Sequence, residues 1–253
     1  VDEKTGRIER FLEKPTWGEV FSDTINTGIY VLEPSALARV PAGTNVDFAK
    51  DLFPQMLRER AALYGHVAHG YWRDVGNLDE YRRVHHDILT GRVNLELPGE
   101  RRLHDGAVLY GEHGAVVERD VKFGGTVLLG RGAYVGRGAV LENVVVGAGA
   151  TVGEGAELRN VVLWEGCQIG PGARLSETVC ASGVRVGEGA LVRENTILAD
   201  RAEVGAFAVV GPTVKVWPDK VVDERAKLTH SLIWGEAWER SLFHGARVSG
   251  IPN

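Results

Sequence analysis

From Leu129 onward an aliphatic residue returns about every six positions, and the chain falls into aligned stretches. They are LGRGAYVGRGAVLENVV from Leu129, VGAGATVGEGAELRNVV from Val146, LWEGCQIGPGARLSETV from Leu163, CASGVRVGEGALVRENTI from Cys180 and LADRAEVGAFAVVGPTVK from Leu198. Each stretch holds three hexad-like units that open on an aliphatic residue. A period this short, repeated this often, predicts coils of three brief strands stacked into a triangular prism, a parallel β-helix. The hexad-opening residues should point inward: Leu129, Val135, Leu141, Val146, Val152, Leu158, Ile169, Val186 and Val204. The fifth place should also point inward and stay small, as at Ala133, Ala139, Ala150, Ala156, Ala173, Ala190, Ala202 and Ala208. Second places are usually glycine, beside the corners. Coils stacked ~4.8 Å apart make five of them a rod of roughly 24 Å. Residues 103–128 read as one less regular leading coil.

Residues 1–97 have another texture. RIERFL (7–12), TINTGIYVL (24–32) and LYGHVAHGYW (63–72) read as strands. Asp47 is placed to cap a helix running to about Arg60. Leu78, Tyr81, Val84 and Ile88 recur at helical spacing over residues 78–90. The expected division is therefore an α/β portion over 1–97, a β-helix over 98–218 and a tail over 219–253.

Composition narrows the function classes. The chain has 253 residues, 44% of them apolar, 33 glycines and a net charge of −5 with no basic block, which argues against nucleic acid. Two cysteines do not make a disulfide framework. Cys167 falls in a small inward place and Cys180 in an aliphatic one, so both are expected to be buried hydrophobes in a reducing cytoplasm. No stretch reaches the ~18 apolar residues of a membrane span. His85 and His86 lack metal-spaced partners and are expected at the surface.

Three motifs sit at the ends of the expected strands: FLEKP (11–15), NTG (26–28) and YWRDVGN (71–77). In an α/β layer ligands gather at strand ends. In this order the motifs resemble the sugar-phosphate side of the sugar-1-phosphate nucleotidyltransferases. FLEKPTWGEVFSDTINTGIYVLEP, FAKDLFP and GYWRDVGNLDEYR are similar to the bacterial and archaeal mannose-1-phosphate guanylyltransferase branch. SLIWGEAWERSLFHGARVSGIPN is similar to the junction of fusions that continue into a phosphomannomutase-like domain. The coils resemble the hexapeptide-repeat family, whose β-helices wind left-handed.

The resemblance implies roles residue by residue. Glu13 would hydrogen-bond sugar hydroxyls and Lys14 would hold the phosphate of a sugar 1-phosphate. Asn26, Thr27 and the backbone at Gly28 would contact the sugar. Asp74 would be one of two carboxylates holding Mg²⁺. Trp72 would be core or pocket wall. The implied reaction is an in-line attack of the sugar phosphate on the α-phosphorus of a nucleoside triphosphate, most simply GTP with mannose 1-phosphate. It needs positioning and charge neutralisation rather than a protein nucleophile.

The family's glycine-rich nucleotide loop and second carboxylate are not in this sequence, which opens on Val1. The chain is expected to be a fragment lacking the nucleotide-binding half, and not to turn over by itself. Uridylyl, thymidylyl or adenylyl transfer to glucose 1-phosphate remains an alternative at this point. An acyltransferase needs a histidine at the coils, and the histidines, at 66, 69, 85, 86, 104, 113, 230 and 244, leave Leu129–Val216 empty. The β-helix itself reads as an assembly or regulatory module that would build a homo-oligomer.

Overall fold

The structure is a computed structural model describing residues 1–2, 4–11 and 24–233, with the backbone of a strand pair, Phe243–His244 antiparallel to Arg247–Val248. It divides into two compact units, Val1–Asp74 and Val75–Asn253.

The first unit is built on short helices. Helix α1 spans Pro34–Leu37. A π-helical turn at Phe48–Leu52 runs into α2, Phe53–Arg58. Asp47 caps that pair as expected: its carboxylate accepts from Ala49 N at 2.8 Å and Lys50 N at 3.0 Å. Leu52, Phe53, Met56 and Ala36 form a small core, with Phe11, Leu32 and Phe48 against it.

The three strands expected here do not form. Arg7 and Tyr64 share one isolated antiparallel bridge, and residues 24–32 carry no ladder. A strand is stable only beside a partner, and these segments find none among the described residues. At 24–32 a side chain also competes for the backbone. The Asn26 Oδ1 accepts from Gly28 N at 3.0 Å, and Gly28 bends to a φ of 75°.

The second unit opens with α3, Leu78–Leu89, capped by Asn77, which accepts from Glu80 N at 2.9 Å. Tyr81 packs this helix onto Val162, Val179 and Ile197 of the coils. Helix α3 therefore belongs with the β-helix, and the compact units divide at Asp74, upstream of the boundary read from texture at residue 97. His85, expected at the surface, is partly buried, its ring 4.6 Å from that of Tyr81.

The coils begin with β1 (Glu100–His104), antiparallel to β2 (Ala107–Gly111), which covers one starting edge. Then come β3 (Val116–Val117), β4 (Lys122–Leu129), β5 (Tyr134–Val135), β6 (Val140–Val146), β7 (Thr151–Val152) and β8 (Glu157–Leu163). One face is a seven-stranded parallel sheet from Val116–Val117 to Val221–Val222. The other two faces run together in a twelve-stranded sheet, because β4, β6 and β8 continue around a corner. The register follows the repeat: Leu141 pairs with Leu158 and Val152 with Ile169.

The inward places are filled as the pattern requires. Leu129, Val135, Leu141, Leu158, Ala139 and Ala173 are all 0–1% exposed. Two threonines stand inside as well. Thr178 Oγ1 donates to Ser176 O at 2.8 Å and Thr196 Oγ1 to Gly211 O at 2.9 Å, so neither hydroxyl is orphaned. Coiling runs past residue 218. Val222 is buried, Lys227–Leu228 pairs with Val209–Val210, and Val216 bridges Leu232. The start of the expected tail is thus a seventh coil: the six-residue step Val204, Val210, Val216, Val222, Leu228 persists after the glycines have gone.

Candidate active site

Asn26 is held at both ends of its amide. Its Oδ1 takes the Gly28 N–H, and its Nδ2 donates to the Tyr30 hydroxyl at 2.7 Å. Tyr30 is fixed in turn by edge-on contact with Phe53, ring centroids 4.9 Å apart, and by Phe48 at 6.1 Å. The turn over 26–30 therefore rests on the aromatic core of its unit. Thr27 is exposed at its tip. Gly28 leaves open backbone, since a Cβ there would meet nothing within 4 Å. Because the Tyr30 oxygen accepts from Asn26, its own O–H can donate elsewhere, and Asn26 keeps one N–H and one lone pair without a partner among the described residues. Those are the groups that recognise vicinal hydroxyls. Tyr30 is a candidate that the sequence did not single out, because a tyrosine inside an expected strand reads as core.

Asp74 closes the first unit and is exposed. Beside it Arg73 Nε donates to the Tyr71 hydroxyl at 3.3 Å. Trp72 is 45% exposed, so it is not part of a core. Asn26, Gly28 and Tyr30 share one turn. Among the described residues no hydrogen bond or ion pair joins Asp74 to them. Glu13 and Lys14 lie outside the described residues.

No group of three histidine, cysteine or acidic side chains converges among the described residues. A closed protein cage for a metal is therefore not found there. A single exposed carboxylate is nevertheless the donor that Mg²⁺ takes when substrate phosphates supply other ligands, so Asp74 fits that ion. Both cysteines are buried in the coils, and Cys167 Sγ donates to Ala181 O at 3.1 Å. Burial pushes the Cys167 thiol up to about 11 and the Cys180 thiol well above its ordinary value, which removes both as nucleophiles.

Residues 1–91 match the family model described as nucleotidyl transferase, and residues 107–210 match the one described as the EIF2B subunit epsilon LbH domain. A mannose-1-phosphate guanylyltransferase of Mycobacterium tuberculosis is 35% identical over 55% of this chain and 37% of its own length. A UTP–glucose-1-phosphate uridylyltransferase of Synechocystis is 30% identical over 57% of this chain and 42% of its own. A glucose-1-phosphate adenylyltransferase of Desulfitobacterium hafniense is 27% identical over 57% and 41%.

The chain is similar to the nucleotidyl transferases over residues 1–91, and these curated relatives are sugar-1-phosphate nucleotidyltransferases.

Its coils form a parallel β-helix of stacked three-strand turns, consistent with the left-handed hexapeptide-repeat type to which the second family match belongs. The matched segment spans about two fifths of the length of these relatives. The three relatives are named for different bases.

Proposed function

We propose that the protein takes part in nucleotidyl transfer from a nucleoside triphosphate to a sugar 1-phosphate, with GTP and mannose 1-phosphate as the preferred pair. The observation that carries this reading is the nucleotidyl transferase match over residues 1–91, with an Asn26–Gly28–Tyr30 turn whose free donors and acceptor suit a sugar. The higher identity to the guanylyltransferase favours mannose and guanine.

In this reading Asn26, the open Gly28 backbone and Glu13 orient the sugar ring. Lys14 holds the phosphate as a point charge. An oxygen of that phosphate forms a bond to the α-phosphorus of the triphosphate as the bond to the β-phosphate oxygen breaks, and pyrophosphate leaves. The attacking group is already ionised, so the protein supplies position and charge rather than a base. Mg²⁺ held at Asp74 would add neutralisation of the negative charge on the phosphates.

The coils take the non-catalytic part. Their interior holds aliphatic side chains, two buried thiols and two satisfied threonines, and their flat faces suit assembly of identical copies. No helix among the described residues is long and apolar enough to cross a membrane, and water-soluble substrates and unpaired cysteines agree with a cytoplasmic setting.

A panel of sugar 1-phosphates and nucleoside triphosphates, scored by pyrophosphate release from the intact protein, tests the reading. Product from GTP with mannose 1-phosphate is expected. Turnover of another pair alone would overturn the choice of substrates, and turnover of none would overturn the reaction. Sedimentation as a monomer at high concentration would overturn the assembly role.

A further inference from the structure

Along the coils, charge is matched from one turn to the next. Arg137 pairs with Glu154, Arg159 with Glu142, Arg174 with Glu157, Arg185 with Glu203 and Arg201 with Asp219. On the last three coils Arg193, Lys227 and Asp223 break this pattern: their exposed side chains have no ion-pair or hydrogen-bond partner among the described residues. The two cations border an apolar groove of about 500 Å³. Leu191, Val209 and Lys227 stand at one register on successive coils, and Leu191 and Val209 are half-buried. Val192 is fully buried, so Arg193 projects on the same outward side as Leu191. Gly211, in the corresponding place on the next coil, adds no side chain to fill the gap. Glu194 also borders the groove, so two positive charges face one negative there.

The adjoining seven-stranded face ends in the opposite character. Val221 and Asp223 flank the buried Val222, so both project outward, and Val221 is 39% exposed. Arg185 offsets Glu203 and Arg225 offsets Glu224, which leaves Asp223 as the unmatched charge. One face thus ends on an aliphatic residue with a carboxylate two places on, and the other presents an aliphatic pair with a cation on either side. Being on different faces, the two patches cannot meet within one molecule. We propose that they meet between copies: Val221 and Asp223 of one copy dock in the Leu191–Val209 groove of the next, with the carboxylate between Arg193 and Lys227. Charge complementarity singles out this occupant, since the chain itself carries the acidic, aliphatic counterpart of its own basic groove. The contact joins two different surfaces, so it is heterologous and leaves one groove and one Val221–Asp223 edge open for further copies. It names the surfaces behind the assembly role proposed above and rests on that role.

The test compares the intact protein with Asp223→Arg, with Arg193→Glu and with the double variant, by sedimentation over a dilution series. Both positions are exposed, so the variants should melt at the unmodified temperature, which thermal unfolding checks. Each single variant sets like charges together and should raise the dissociation constant for self-association about tenfold or more. The double variant should recover most of the association. An equal mixture of the two single variants should also assemble, because the intact Asp223 of one meets the intact Arg193 of the other and the two changed residues are themselves opposite in charge. An unmodified protein that stays monomeric would overturn the assembly role together with this contact. Oligomers that either single variant leaves unchanged, or single variants that fail to associate when mixed, would overturn this contact and leave the assembly role standing on another surface.

Discussion

The Trp164 indole donates its N–H to the Tyr81 hydroxyl across 3.0 Å, with ring centroids 6.2 Å apart, and so ties α3 to the coils. Tyr81 also covers Val162 and Val179. Tyr81→Phe removes the acceptor but keeps the ring. Trp164 is 40% exposed and can turn its N–H to water, so the expected loss is about 0.5–1 kcal/mol. Tyr81→Ala also uncovers the valines and should lose about 2–3 kcal/mol. Urea unfolding of the three proteins, followed by tryptophan fluorescence, checks both the order and the sizes.

Two glycines of one coil are required for different reasons. A Cβ on Gly147 would lie 2.5 Å from the Trp164 carbonyl carbon, so the next coil forbids a side chain there. Gly149 has open space but a φ of 63°. Gly149→Ala should therefore cost about 1 kcal/mol. Gly147→Ala should reach the upper end of about 1–3 kcal/mol or exceed it. Thr213 sits at a φ of 62° with a β-branched side chain, and Thr213→Gly should raise stability by about 0.5–1 kcal/mol. Thermal melts should rank Thr213→Gly above the unmodified protein, then Gly149→Ala, then Gly147→Ala.

These contrasts mark what could be read from the chain. The coils were legible because each turn repeats the same local rule: an aliphatic residue at Leu141, a small one at Ala139, glycine beside the corner. The seventh coil was missed because Trp217, Asp223 and Thr229 replace the expected glycines, although Val222 and Leu228 keep the step. The Asp47 cap and α3 were legible because caps and helical spacing are local signals. The segments 7–12, 24–32 and 63–72 look like strands by composition, but strand formation depends on a neighbour that no local pattern specifies. The Arg82–Glu177 ion pair was illegible for a related reason: its partners lie 95 residues apart and meet only once α3 lies on the coils. At the candidate site, motifs pointed to Asn26 and Gly28, while Tyr30 emerges only from its hydrogen bond.

His85 supplies a pH dependence. Burial beside Tyr81 holds its imidazole below the ordinary value of 6.5. The unfolded chain therefore binds the proton more readily than the folded one. Stability is fully present above about 6.5 and declines as pH falls through that value toward the folded pKa. His85→Gln should flatten this part of the stability–pH profile, with the change between the two proteins confined to mildly acidic pH. Chemical unfolding at a series of pH values from 8 to about 5 measures it.

The central claim is that Asp74 serves a nucleotidyl transfer to a sugar phosphate. The most direct measurement is sugar-nucleotide formation by the intact protein, compared with Asp74→Asn of equal thermal stability, each with GTP, mannose 1-phosphate and Mg²⁺. The account expects product from the unmodified protein and a kcat lower by about 100-fold or more in the variant. A variant that forms product at the unmodified rate would contradict it.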